Sequence, residues 1–152
     1  MVFCMTEADK KKIVSIMEKH GVLVGYLFGS AARGTMGPHS DIDVAVLFDK
    51  NKVPQERQFD EELSISGEIA RALNVEDADV VNLGTVRNPL LKHIVASEGI
   101  LVLMKDRDKY FLLERSIIQE YEDSRFLHNT AVRIMREQIK DGTFGKASMR
   151  VL

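Results

Sequence analysis

Apolar and polar residues change period several times along this chain, and each change marks an element boundary. Ile13, Val14, Ile16 and Met17 recur at helical spacing behind Thr6, with Asp9 three residues on, where a carboxylate reaches back to the cap amide. Gly21 ends that helix. Residues 22–28, VLVGYLF, form a continuous apolar run of strand length. Gly29 and Ser30 follow, and a stretch from Ala31 to Ser40 holding Gly34, Gly37 and Pro38 reads as a loop. Residues 41–48 are rich in β-branched side chains and predict a second strand, stopped at Asp49, Lys50 and Asn51. From 54 to 73 the period turns helical, with Phe59, Leu63, Ala70 and Leu73 marking one face.

A third strand is predicted over 79–83, a short helix over 88–97 with Pro89 in its first turn, and a fourth strand over 100–104. The rest predicts one long helix over 106–141, then a flexible tail over 142–152. Tyr110, Phe111, Leu113, Ile117, Ile118, Tyr121, Leu127, Ile134 and Met135 are its candidate core positions. Helices and strands alternate without a repeat or a linker. The pattern predicts one domain over 1–152 of α/β (α+β) class, a mixed β-sheet with helices packed against it and a long C-terminal helix.

Composition narrows the possibilities. The 152 residues are 45% apolar and 29% charged, as in an ordinary globular domain. A single cysteine, Cys4, can form neither an intramolecular disulfide nor a thiolate zinc site, which points to a reducing, cytoplasmic setting. No apolar run approaches the roughly 18 residues of a membrane-spanning helix, and no export signal is read at the start. With 21 basic against 23 acidic side chains, net charge -2, the chain lacks the basic balance of a protein that binds nucleic acid directly. Its chemistry has to be read from a site.

Asp41 and Asp43 are separated by one residue on a predicted strand, so both side chains leave the same face, about 7 Å apart at the Cα level. Their mutual repulsion either raises one pKa or is relieved by a cation, and magnesium, which prefers oxygen ligands, relieves it well. Asp79, at the head of the next strand, is the right type of residue to complete the set. Asp77 is the alternative, because a strand shift of two presents it on the same face. Upstream, Gly29 permits close approach of a phosphate to backbone amides, the Ser30 hydroxyl can donate to it, and Arg33 adds a positive charge. Positioning and charge neutralisation are what phosphoryl transfer asks of a protein.

The pair Gly29-Ser30, ten residues, then Asp41-Ile42-Asp43 resembles the signature of the nucleotidyltransferases of the DNA polymerase β superfamily. The fuller form, Gly29-Ser30-Ala31-Ala32-Arg33-Gly34 followed by Ser40-Asp41-Ile42-Asp43, resembles its minimal nucleotidyltransferase branch. Residues 100–123, with Glu114-Arg115 and Tyr121-Glu122-Asp123, resemble the MntA-like antitoxins that partner HEPN-domain (HepT-like) toxins. This resemblance implies the polymerase β-like fold and a protein adenylyltransferase that moves AMP from ATP onto a tyrosine of its cognate toxin RNase. It implies that Gly29 and Ser30, with Arg33 and Ser40 beside them, hold the nucleotide. It also implies that Asp41, Asp43 and Asp79 ligate Mg²⁺, two ions by the chemistry of the superfamily, with Asp79 as the base for the incoming hydroxyl. Two other activities stay open: nucleotidyl transfer to a small hydroxyl-bearing molecule, and toxin binding without catalysis.

Other features have plainer readings. His39 reads as a solvated loop histidine, the Lys10-Lys11-Lys12 run as the wet face of the first helix, and His20, His93 and His128 have no ligand spacing. Residues 124–152 hold six basic side chains against Glu137 and Asp141, a skew that suits either a solvated helix face or a docking surface.

Overall fold

The computed structural model describes residues 5–34 and 41–142. Its elements run α1 (Glu7–Lys19), β1 (Val22–Phe28), α2 (Ser30–Arg33), β2 (Ile42–Phe48), α3 (Gln55–Leu73), β3 (Ala78–Asn82), α4 (Pro89–Glu98), β4 (Ile100–Met104) and α5 (Arg107–Lys140). Local chemistry sets several boundaries. Thr6 and Asp9 close a capping box on α1, and Asn88 and Asp106 cap α4 and α5 by accepting from Leu91 and Lys109 amides. The short α2 replaces part of the loop expected after Ser30, and the prediction was blind to it because a single helical turn has no apolar period.

The four strands form one mixed sheet in the order β3-β2-β1-β4. β1 pairs antiparallel with β2 and β4, while β2 pairs parallel with β3 through the α3 crossover. Helices cover both faces. Ile42, Val44, Val46 and Phe48 point toward α1 and α3 and join Ile13, Met17, Ile65 and Ile69 in one core. Val24, Tyr26, Phe28 and Ala45 face the other way, toward Val95 of α4 and Leu113 and Ile117 of α5. A strand covered on both faces has no room for polar alternation, and all seven residues of β1 are buried.

Two expectations about helix faces are corrected. Leu73 is buried as expected, but Phe59 and Leu63 of α3 are exposed, and Gln58, Ile65 and Ile69 turn inward in their place. Gln58 takes the inward position because its amide donates to the Val53 carbonyl and its oxygen accepts from Asn82, so it satisfies two buried backbone and side-chain groups. In α5 only Leu113 and Ile117 are buried; Tyr110 and Tyr121 are half-buried, while Phe111, Ile118, Leu127, Ile134 and Met135 are exposed. A helix of this length runs about 50 Å, whereas four strands side by side span only about 19 Å, so its far end outruns the sheet. Beyond Gly142, the expected tail lies outside the described residues.

Candidate active site

Strand register gathers the predicted carboxylates at one end of the sheet. Asp43 is directly opposite Asp79 across the parallel β2–β3 pair and opposite Phe28 across the antiparallel β1–β2 pair. Asp41 precedes β2 by one residue and shares the face of Asp43 through the two-residue period. This is the face covered by α4 and α5, because Ala45 and Val81, two residues further along, contribute to the core there.

The electrostatics agree with this register. Asp43 is half-buried, and its carboxyl is held above the usual aspartate range chiefly by burial, then by the negative charges of Asp79 and Asp41. The Arg33 guanidinium offsets part of that rise. The three other side chains predicted to act with it thus all bear on Asp43. Asp77 enters differently: its carboxylate accepts from the Ala78 amide and is absent from the groups that perturb Asp43.

Gly29 joins the turn to the carboxylates. Its φ of 68° lies where L side chains rarely go, and a Cβ built there would collide with Oδ2 of Asp43. No other residue type fits between the end of β1 and the Asp43 carboxylate. Ser30 opens α2 and Arg33 closes it, so both project from the turn that begins at Gly29. Ser40 and His39 lie outside the described residues.

The donor set suits a hard cation: carboxylate oxygens on adjacent strands, short of positive charge. Among the described residues no three acidic, histidine or cysteine side chains stand close enough to hold an ion as they are. Asp41 and Asp79 are exposed and can turn about χ1 toward Asp43.

The family model described as polymerase beta, nucleotidyltransferase matches residues 11–108, which spans α1 to the start of α5 and includes every site residue named above. The chain belongs to this nucleotidyltransferase family. Two Methanocaldococcus jannaschii proteins named as protein adenylyltransferases are each 34% identical to this nucleotidyltransferase over 94 residues, 62% of this chain and 94% and 81% of theirs. Among solved structures, a toxin–antitoxin with AMP-PNP matches with a TM-score of 0.65 at 23% identity, covering 82% of this chain and 95% of that one. A tri-AMPylated Shewanella oneidensis HEPN toxin in complex with MNT antitoxin matches at 0.64 and 20% identity, covering 84% and 95%. These structures establish the nucleotidyltransferase fold expected from the resemblance.

One structural residue escaped the sequence reading. Tyr26 sits two positions along β1 from Phe28, is buried, and donates its hydroxyl to Oε1 of Glu114 at 2.5 Å, tying β1 to α5. Burial and the facing carboxylate push its phenol far up from the usual tyrosine range. The available signal was a hydroxyl inside an otherwise apolar strand, which needs a partner when buried. Among the described residues no helix is long and apolar enough to cross a membrane.

Proposed function

We propose that this nucleotidyltransferase is an antitoxin-type protein adenylyltransferase, moving AMP from ATP onto a tyrosine of a HEPN-domain (HepT-like) toxin encoded beside it. The whole of 1–152 acts as one unit in the cytoplasm. One observation carries the reading above the rest: Asp43 stands in register between the end of β1, where the glycine turn begins, and Asp79. The acceptor class is supported by the relatives named as protein adenylyltransferases and by the similar complexes of antitoxin with toxin.

In this reading the triphosphate rests on the Gly29-Ser30 turn, with Arg33 and Ser40 beside it. The tyrosine oxygen attacks the α-phosphorus, the new P–O bond forms as the bond to the β-phosphate breaks, and pyrophosphate departs with the electron pair. The hydroxyl proton passes to the Asp79 carboxylate. Magnesium, held by Asp41, Asp43 and Asp79 as two ions, supplies charge neutralisation of the phosphates when bound.

The test is the intact mass of the neighbouring HEPN-type protein after incubation with this protein, ATP and Mg²⁺. The expected result is a gain in AMP units that disappears with Asp41→Ala/Asp43→Ala. A stable complex without mass gain points to a binding antitoxin. Neither complex nor gain overturns the protein-acceptor reading in favour of a small hydroxyl-bearing acceptor.

A further inference from the structure

The face that carries the carboxylates also carries a cavity away from them. Along β2 the residues on this face run Asp43, Ala45, Leu47, and along β3 they run Asp79, Val81, with Leu83 just past its end. A cleft of about 400 Å³ opens over Leu47 and Leu83, closed on its far side by Leu112 and Leu113 of α5. It lies four residues along the strand from Asp43, a distance of about 13 Å.

The rim of this cleft is cationic although the chain as a whole is slightly acidic. Lys92 is nine-tenths buried, and its ammonium donates to both carboxylate oxygens of Glu120 at 2.9 and 3.2 Å. Lys50, just past β2, and Lys109, in the first turn of α5, also line the cleft; neither has an ion-pair partner among the described residues. Three lysines against one carboxylate leave an excess of positive charge, concentrated beside low-dielectric walls where it acts most strongly on an anion. An apolar floor with a lysine rim suits a ligand with one flat, poorly hydrated part and one phosphate, and the volume falls in the range of small-molecule sites.

We propose that this cleft binds a nucleoside monophosphate unit, its base and ribose on the leucine floor and its phosphate at Lys50 and Lys109. The unit comes either from free nucleotide or from AMP already attached to an acceptor. The second source rests on the adenylyl transfer proposed above. In that case the cleft holds the growing product about 13 Å from the carboxylates.

The experiment uses a fluorescent AMP analogue, N-methylanthraniloyl-AMP, in EDTA, with Asp41→Asn/Asp43→Asn protein so that the carboxylate site is silenced. Adding Lys50→Ala/Lys109→Ala should raise the Kd at least tenfold with the circular dichroism spectrum unchanged, since neither lysine is buried. An unchanged Kd, or no binding up to millimolar analogue, overturns the proposal. The sources separate in a transfer assay with the neighbouring HEPN-type protein, with both aspartates restored. Truncation of the AMP series after the first unit in the lysine variant identifies acceptor-borne AMP. An unchanged series with lost sensitivity to added free AMP identifies free nucleotide, and a change in neither overturns the cleft's part in this reaction. Absence of AMP on the acceptor with the unsubstituted protein overturns the adenylyl-transfer reading alone, because the analogue titration needs no transfer.

Discussion

Two polar clusters lie toward opposite ends of β3, and they are built on opposite principles. At one end Asp43 faces Asp79 with Asp41 alongside, all acceptors of the same sign, with Arg33 as partial relief. Toward the other end, Asn82 donates to Gln58 at 2.8 Å, Gln58 donates to the Val53 carbonyl at 3.1 Å, and the Gly84 amide donates to Asn82 at 2.9 Å. Every donor in that second cluster meets an acceptor, and among the described residues no buried side-chain nitrogen or oxygen lacks a partner. Gln58 and Asn82 can therefore be buried at little cost, whereas the aspartates remain half-buried or exposed. One cluster holds the fold together, while the other keeps a charge imbalance that a ligand has to correct.

The contrast breaks most sharply by removing a carboxylate. Asp41→Ala or Asp43→Ala should lower AMP transfer by on the order of a thousandfold, read as intact mass of the acceptor over time, with the fold retained. Gly29→Ala should follow, with a loss of about ten- to a hundredfold, because both the positive φ and the Asp43 collision force the turn away from the carboxylates. Asn82→Ala tests the other cluster. It leaves the Gln58 oxygen and the Gly84 amide without their partner and should cost about 1–3 kcal/mol in chemical denaturation, while transfer at low temperature stays near normal.

The smallest effect has the opposite sign. Because the folded state holds the Asp43 proton more tightly than the unfolded chain, stability falls as pH rises from the ordinary aspartate range through the raised value. Asp43→Asn should therefore raise the melting temperature in EDTA at neutral pH, and the gain should vanish at acid pH, where the wild-type carboxyl is already protonated. A gain that persists in acid would show that packing rather than charge is responsible.

The strands and the glycine–aspartate constellation were legible because both depend on short-range pattern: apolar runs bounded by turns, and two carboxylates at strand period. Asp79 was legible as a candidate, yet its pairing with Asp43 rather than with Asp41 comes from a register that only the α3 crossover sets. The faces of α3 and α5 were misjudged for different reasons. Phe59 and Leu63 lie off the inward line, which runs through Ile65, Ile69 and Leu73 and begins at a glutamine that two hydrogen bonds make fit for burial. The apolar positions of α5 beyond Tyr121 obey helical spacing and still meet nothing, because period reports a helix's faces and not the extent of what it packs against. The lysine cleft joins β2, α4 and α5 and left no mark in any single segment.

The position of β3 at the rim of the sheet divides the site by its robustness. Gly29 directly follows β1, and Asp41 and Asp43 stand at the head of β2, the two interior strands of the sheet, whereas Asp79 rides on a strand bonded to β2 on one side only. Fraying at that rim would carry off the carboxylate proposed as proton acceptor and leave the proposed nucleotide turn standing. On the proposed roles, loss of β3 would leave ATP binding ahead of transfer, and hydrogen exchange should rank the amides of β3 below those of β1.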